Sequence, residues 1–206
     1  MVMKTIKKLS LLVALMSCLA FKTADGSLTD AERKSLMDFY NETKERLLKD
    51  VKGLNNEQLN FKAAPEKWSV AECLEHIAVT ESSIFNYVTK SLQEAANPVR
   101  RTEVKMTDEA VKGLITNRTQ KVKTREELVP KNKFGSADGS LKEFVSKRES
   151  NLAYIKSTSD DLRNHYAVFP FGTIDTYQVL IFLAGHTARH TAQLEEVISD
   201  PNFPKK

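Results

Sequence analysis

Two histidines four residues apart, His186 and His190, are the side chains whose type and spacing most directly suggest chemistry. On an α-helix, side chains at i and i+4 stand one above the other on a single face. Here that face continues an apolar stripe of Val179, Leu183, His186, His190, Leu194 and Val197, at steps of three and four. The two imidazoles therefore stand where a core-facing helix places Leu or Val. A ring taken out of water needs a partner on its nitrogen, and two adjacent buried imidazoles cannot both carry a proton comfortably. A divalent cation meets both demands, because it binds the neutral ring. A pair of hydrogen-bonded core histidines meets them too, and the spacing alone leaves both readings open. Position 187 is Thr187, so the helix has no H-E-x-x-H motif and supplies no metalloprotease base.

A third histidine, His76, lies beside the apolar stripe of an earlier helix, in line with Cys73, Thr80 and Ser83. Were the two helices to face each other, His76, His186 and His190 would give three ligands and one open position, the arrangement of a catalytic metal site. Gln193, one turn past His190, suits a hydrogen bond to a ligating ring or a contact to substrate. Cys73, one turn before His76, reads either as a thiol near the metal or as a small core residue. Glu72 reads either as a general base or as a helix cap alone. His165 falls in a loop, at the mouth of the site or on the surface. Tyr87 and Tyr177 could line a pocket or pack in the core. Glu75 and Glu81 are expected to face solvent.

These residues need four long helices to position them. Thr29-Asp30-Ala31-Glu32, Ser69-Val70-Ala71-Glu72 and Ser140-Leu141-Lys142-Glu143 each fit the S/T-x-x-E capping box. The first helix is expected from about Asp30 to Val51, with Leu36, Phe39/Tyr40, Thr43, Leu47 and Val51 inward and Gly53 just beyond its end. The second runs from Ser69 to about Gln93, with Leu74, Ile77, Ile84 and Val88 inward. Trp68, before its cap, could pack on Cys73 as a hydrophobic staple. The third runs from Leu141 to about Lys156. The fourth follows the Phe169-Pro170-Phe171-Gly172 turn, from about Ile174 to Ser199, and stops before Pro201. The connection from Glu94 to Gly139 is too long for a simple turn and is expected to hold a short helix near Thr107 to Thr116. The pattern predicts an all-α four-helix bundle with a long crossover between helices 2 and 3.

The N-terminus reads as an address. Lys4, Lys7 and Lys8 precede an apolar run from Leu9 to Leu19, with no acid before Asp25. That is the n-region and h-region of a secretory signal, too short to span a bilayer as a mature helix. Leu15-Met16-Ser17-Cys18 resembles a lipobox that would anchor the chain through Cys18, whereas Cys18-Leu19-Ala20 suits ordinary signal cleavage. Residues 1–20 are thus read as a secretion signal, 21–27 as a leader or tether, and 28–200 as one bundle domain. The expected location is extracytoplasmic, periplasmic or lipid-anchored. The 206 residues carry a formal charge of +4. Loss of the three signal lysines leaves 28 basic against 27 acidic residues, so the charge is no footprint for nucleic acid. Residues 99–133 hold 10 Lys/Arg against 5 Asp/Glu, read as a solvated loop or an anion-binding lid, without the aromatics that single-strand binding uses. Cys73 is the one cysteine beyond the signal, which excludes a disulfide within the mature chain. A homodimer stays open.

Trp68-Ser69-x-x-Glu72-x-Leu74-x-His76 and His186-x-x-Arg189-His190-x-x-Gln193 resemble the two signature stretches of the DinB-like superfamily, the DinB- and YfiT-like metal-dependent hydrolases. Phe144-x-x-x-Arg148 and the Phe171-Gly172 turn agree with it, and the resemblance runs from about Leu28 to Asp200. It implies a four-helix bundle with a long crossover and a divalent metal held by His76, His186 and His190, with Zn first and Ni, Fe or Mn as alternatives. Family members include metal-dependent transferases and isomerases that use low-molecular-weight thiols, from which this chain departs in its export signal. The expected function is an exported metal-dependent hydrolase or transferase acting on a small molecule. The alternative is a non-catalytic metal- or ligand-binding bundle.

Overall fold

The computed structural model describes residues 26–119 and 121–205. The segment read as a secretion signal, Cys18, and most of the segment read as a leader lie outside the described residues.

Helix α1 (Asp30–Val51) opens on the expected capping box, with the Thr29 hydroxyl accepting from the Glu32 amide and the Glu32 carboxylate accepting from the Thr29 amide. It buries Leu36, Phe39, Tyr40, Thr43, Leu47 and Val51, and Gly53 past its end takes a φ of 72°, which suits glycine. A short helix, α2 (Asn56–Asn60), follows; its box is Asn55 with Gln58. Helix α3 (Val70–Ser91) starts on the Ser69–Glu72 box. The crossover then carries two 3-10 turns, Pro98–Glu103 and Glu126–Leu128, around helix α4 (Asp108–Thr116), which Thr107 caps.

Helix α5 (Ala137–Ser157) begins one turn before its expected start. Ser136 is its cap, accepting from the Gly139 amide at 3.0 Å. Ser140 lies buried inside the first turn and donates back to the Ser136 carbonyl. An earlier serine with extended backbone displaced the expected box. The all-α expectation also needs one amendment. Residues Tyr166–Phe169 (β1) and Gly172–Asp175 (β2) pair as an antiparallel hairpin, with Tyr166 opposite Asp175 and Phe169 opposite Gly172. Helix α6 (Thr176–Ile198) therefore starts after Ile174, on a box made by Asp175 and Gln178.

The four long helices form the bundle. Helix α3 packs against α5 and α6, and α1 packs against the same two. Thus α1 and α3 sit across from each other, as do α5 and α6. Helix α4 lies on α6, where a side chain at Gly185 would come within 2.3 Å of the Ile115 Cγ2 methyl. Glycine there is a condition of that close approach.

The core has two apolar clusters, one around Leu36, Tyr40, Val88, Ile155 and Leu180, the other around Leu47, Val70, Leu74, Phe144 and Leu194. A polar cluster joins all four long helices. Arg148 and Glu81 are both 0% exposed, which corrects the expectation that Glu81 faces solvent. The Arg148 guanidinium meets the Glu81 carboxylate in a fork, at 2.8 and 2.9 Å. It also donates to the Tyr40 carbonyl, the Thr43 hydroxyl and the Thr187 hydroxyl. Asn151 donates to Glu81 at 2.9 Å. A buried charge is tolerated when paired and hydrogen-bonded to this extent. Glu81→Ala is expected to cost about 3–5 kcal/mol, because it strands the buried Arg148. In urea unfolding, Glu81→Met combined with Arg148→Met should lose less than the two single changes added together.

Candidate metal centre

Helices α3 and α6 bring the three histidines together. His76, His186 and His190 each offer a ring nitrogen within 4.8 Å of the others. Ring centroids are 5.1 Å apart for His76 and His186, 4.4 Å for His76 and His190, and 4.5 Å for His186 and His190. His76 and His190 are buried, and His186 is partly exposed.

The hydrogen bonds fix which nitrogen of each ring is free. His76 Nδ1 lies 2.9 Å from the Leu128 carbonyl. A carbonyl only accepts, so Nδ1 carries the proton. His190 Nδ1 faces Gln193 Oε1 at 2.8 Å, and the same oxygen receives a long contact from Arg118 at 3.5 Å. His186 Nδ1 stands 3.3 Å from the Thr80 hydroxyl, which already donates to the His76 carbonyl and therefore accepts from the ring. All three Nδ1 atoms are donors, and the three Nε2 atoms are left bare.

Burial lowers the pKa of His76. Burial, then His190 and His76, holds His186 well below the ordinary imidazole range. Burial and then His76 bring His190 down to about 3. Three neutral imidazoles, each with a ring nitrogen within 4.8 Å of the others, are the donor set of a three-histidine cation site. Each Nδ1–H bond orients its ring as outer ligands do in metal proteins. The residues therefore fit a divalent cation.

Some contributors carry little sequence signal. The indole of Trp68 lies 4.9 Å from the His76 ring and 6.0 Å from the His190 ring; its place before the cap points to Cys73, and only the resemblance of the stretch from Trp68 to His76 ties it to the histidines. Leu128 acts through its backbone carbonyl, which leaves no trace in residue type. Thr80 stands in line with His76, which was visible, but its acceptor role needed the fold.

The remaining expected residues divide. Gln193 reaches His190. Cys73 belongs to an apolar core cluster, where burial pushes its thiol up to about 12, so it is no ready thiolate. Glu72 is held by the capping box and by Lys62 at 2.7 Å. Glu75 is buried rather than solvent-facing, because its carboxylate accepts from the amides of Lys131, Asn132 and Lys133. His165 sets its nitrogens against the carbonyls of Asp161 and Glu94, away from the triad. Tyr177 is core, donating to the Glu32 carbonyl. Much of the basic crossover is ion-paired: Arg118 with Glu196, Arg101 with Asp175 and Lys131 with Glu126.

The family model of the DinB superfamily matches residues 40–194, a span that includes all three histidines. The chain belongs to the DinB superfamily. Another similar chain is the uncharacterized protein YuaE of Bacillus subtilis (strain 168), 26% identical over 162 residues, covering 78% of this DinB chain and 96% of YuaE. Among solved structures, YfiT from Bacillus subtilis superposes with a TM-score of 0.55 at 16% identity, covering 84% of this chain and 89% of YfiT. YfiT is described as a probable metal-dependent hydrolase with an unusual four-helix bundle topology. At that identity the likeness shows the DinB bundle itself.

Gln193→Ala should weaken metal binding about 10- to 100-fold, the usual cost of an outer-shell partner. Competition titration against a chromogenic chelator reads the loss, and an unchanged circular dichroism spectrum shows that the bundle survives.

Proposed function

We propose that this protein is a metal-dependent hydrolase or transferase acting on a small molecule, with His76, His186 and His190 as ligands of a divalent cation, Zn first. The observation that carries the reading is the set of three neutral rings, each with a nitrogen within 4.8 Å of the others and each oriented by a hydrogen bond at Nδ1. A divalent cation bound there supplies Lewis acidity and a nucleophile activated at neutral pH. The chain's own part is positioning. The Leu128 carbonyl, Thr80 and Gln193 set the three rings, Trp68 lies against two of them, and His186 is the one of the three that keeps part of its surface in contact with water.

One observation favours a second reading, a non-catalytic metal- or ligand-binding module. Glu72, Glu75 and Glu81 are each committed elsewhere, to a cap and Lys62, to backbone amides and to Arg148. None of the three is free to serve as a base. Elemental analysis of untagged protein should find near-stoichiometric metal, lost in His186→Ala and His190→Ala; unchanged metal content in both variants would sink the site. Esters, amides and thiol–electrophile pairs then separate the readings. Turnover abolished by chelator supports the enzyme, and bound metal without chelator-sensitive turnover supports the module.

We also propose that the protein works outside the cytoplasm. The support is the basic, then apolar, segment from Lys4 to Leu19. If Cys18 is a lipid anchor, Cys18→Ala should move the protein from the membrane fraction to the soluble fraction. A wild-type protein already soluble after export points to ordinary cleavage.

A further inference from the structure

Past the triad, a run of aromatic rings continues from α6 to the hairpin and α3. Phe182 stands one turn before His186 on α6, with ring centroids 6.3 Å apart. Phe182 meets two rings of the hairpin, Phe169 at 5.0 Å and Phe171 at 5.6 Å. Phe169 and Phe171 stack at 5.3 Å, and Tyr87 of α3 lies 5.0 Å from Phe169. All four rings are partly exposed rather than buried. Among the described residues no Lys or Arg is recorded over any of their faces; the cation–π contacts fall on other rings.

The four rings pack on the core cluster of Val88, Val179 and Leu183 and still keep part of their surface in water, so together they present one contiguous aromatic face. An apolar wall beside a few convergent polar groups is the usual make-up of a small-molecule site. The wall touches the triad at His186, its partly exposed member, while Trp68 and the Leu128 carbonyl occupy the side of His76. A protein partner fits less well. A stable interface needs about 800 Å² per partner, and of the large apolar residues left fully exposed only Val168, at 70%, lies on this hairpin.

We propose that Tyr87, Phe169, Phe171 and Phe182 form the recognition wall for an uncharged aromatic or flat apolar group of the substrate, whose polar end lies at the three histidines. This rests on the three-histidine reading above and adds the substrate class. The wall is a binding surface, and the four rings are specificity residues with no part in proton transfer.

Two probes that differ by one phenyl group test it: acetohydroxamate and phenylacetohydroxamate, which chelate through the same atoms. Titration calorimetry on metal-loaded protein should show phenylacetohydroxamate binding at least about tenfold tighter. Phe171→Leu and Phe182→Leu, which stay apolar and remove a ring, should each cut that advantage severalfold. Metal content and acetohydroxamate affinity should stay unchanged. Equal affinities in the parent protein, or a preference untouched by both variants, would overturn the proposal. So would light-scattering data in which Phe171→Leu splits a dimer while the phenyl preference persists, since the wall would then be a subunit contact. Protein that takes up no metal fails at the earlier reading, and elemental analysis tells that failure apart from the loss of phenyl preference alone.

Discussion

The buried pairing of Arg148 with Glu81 is the constraint on which the rest of the molecule depends. Two charges with no exposure are tolerable only if every donor and acceptor finds a partner. Satisfying Arg148 requires a carbonyl and a hydroxyl from α1, a carboxylate from α3 and a hydroxyl from α6, all at once. A slide of any one helix by a turn would break several of these bonds together. The pair therefore sets the register of the bundle. It also sets the register of the histidines, because Glu81 follows Thr80, the residue that accepts from His186, and Thr187 follows His186 itself. The ion pair and the triad are bound to neighbouring residues of the same two helices.

Much of this was legible in the residues. The i, i+4 spacing of His186 and His190 on an apolar stripe identified a face that had to meet something polar, and His76 was placed on a helix able to supply it. The starts of α1 and α3 follow from S/T-x-x-E boxes, and the end of α1 from its apolar stripe and Gly53. What was missed shares physical causes. The Asn55–Gln58 and Asp175–Gln178 boxes use the same reciprocal bonds with other side chains. Glu81 on an amphipathic helix reads as solvent-facing until its partner arrives from a helix 67 residues away. The hairpin strands have four residues each around Pro170, too short for a period-two pattern to register. Leu128 and the amides of residues 131–133 act through backbone, which residue type does not encode.

The crossover is tied down by charge at both ends. Near its start, Arg101 pairs with Asp175. Asp108 at the head of α4 shares Arg163 with Glu32 of α1 and Asp175, the cap of α6. Near its end, the Glu75 carboxylate receives three successive amides around Asn132, a non-glycine residue at a φ of 60°. An acid on α3 thereby stabilises a left-handed turn that its neighbours in sequence would not favour alone. The basic excess of the segment is partly neutralised by these contacts, which leaves it a strapped surface rather than a free polycation.

The bond from His76 to the Leu128 carbonyl spans 52 residues. The tautomer of a ring on the second long helix is thus decided by a peptide group that reaches it only when the strap has closed. A chain with α3 and α6 docked but the strap open would hold His76 with either nitrogen protonated. The ready donor set is a property of the finished topology. A cation that prefers that set adds its binding energy to the contacts that already hold the strap, and the strap in turn readies the ring for the cation.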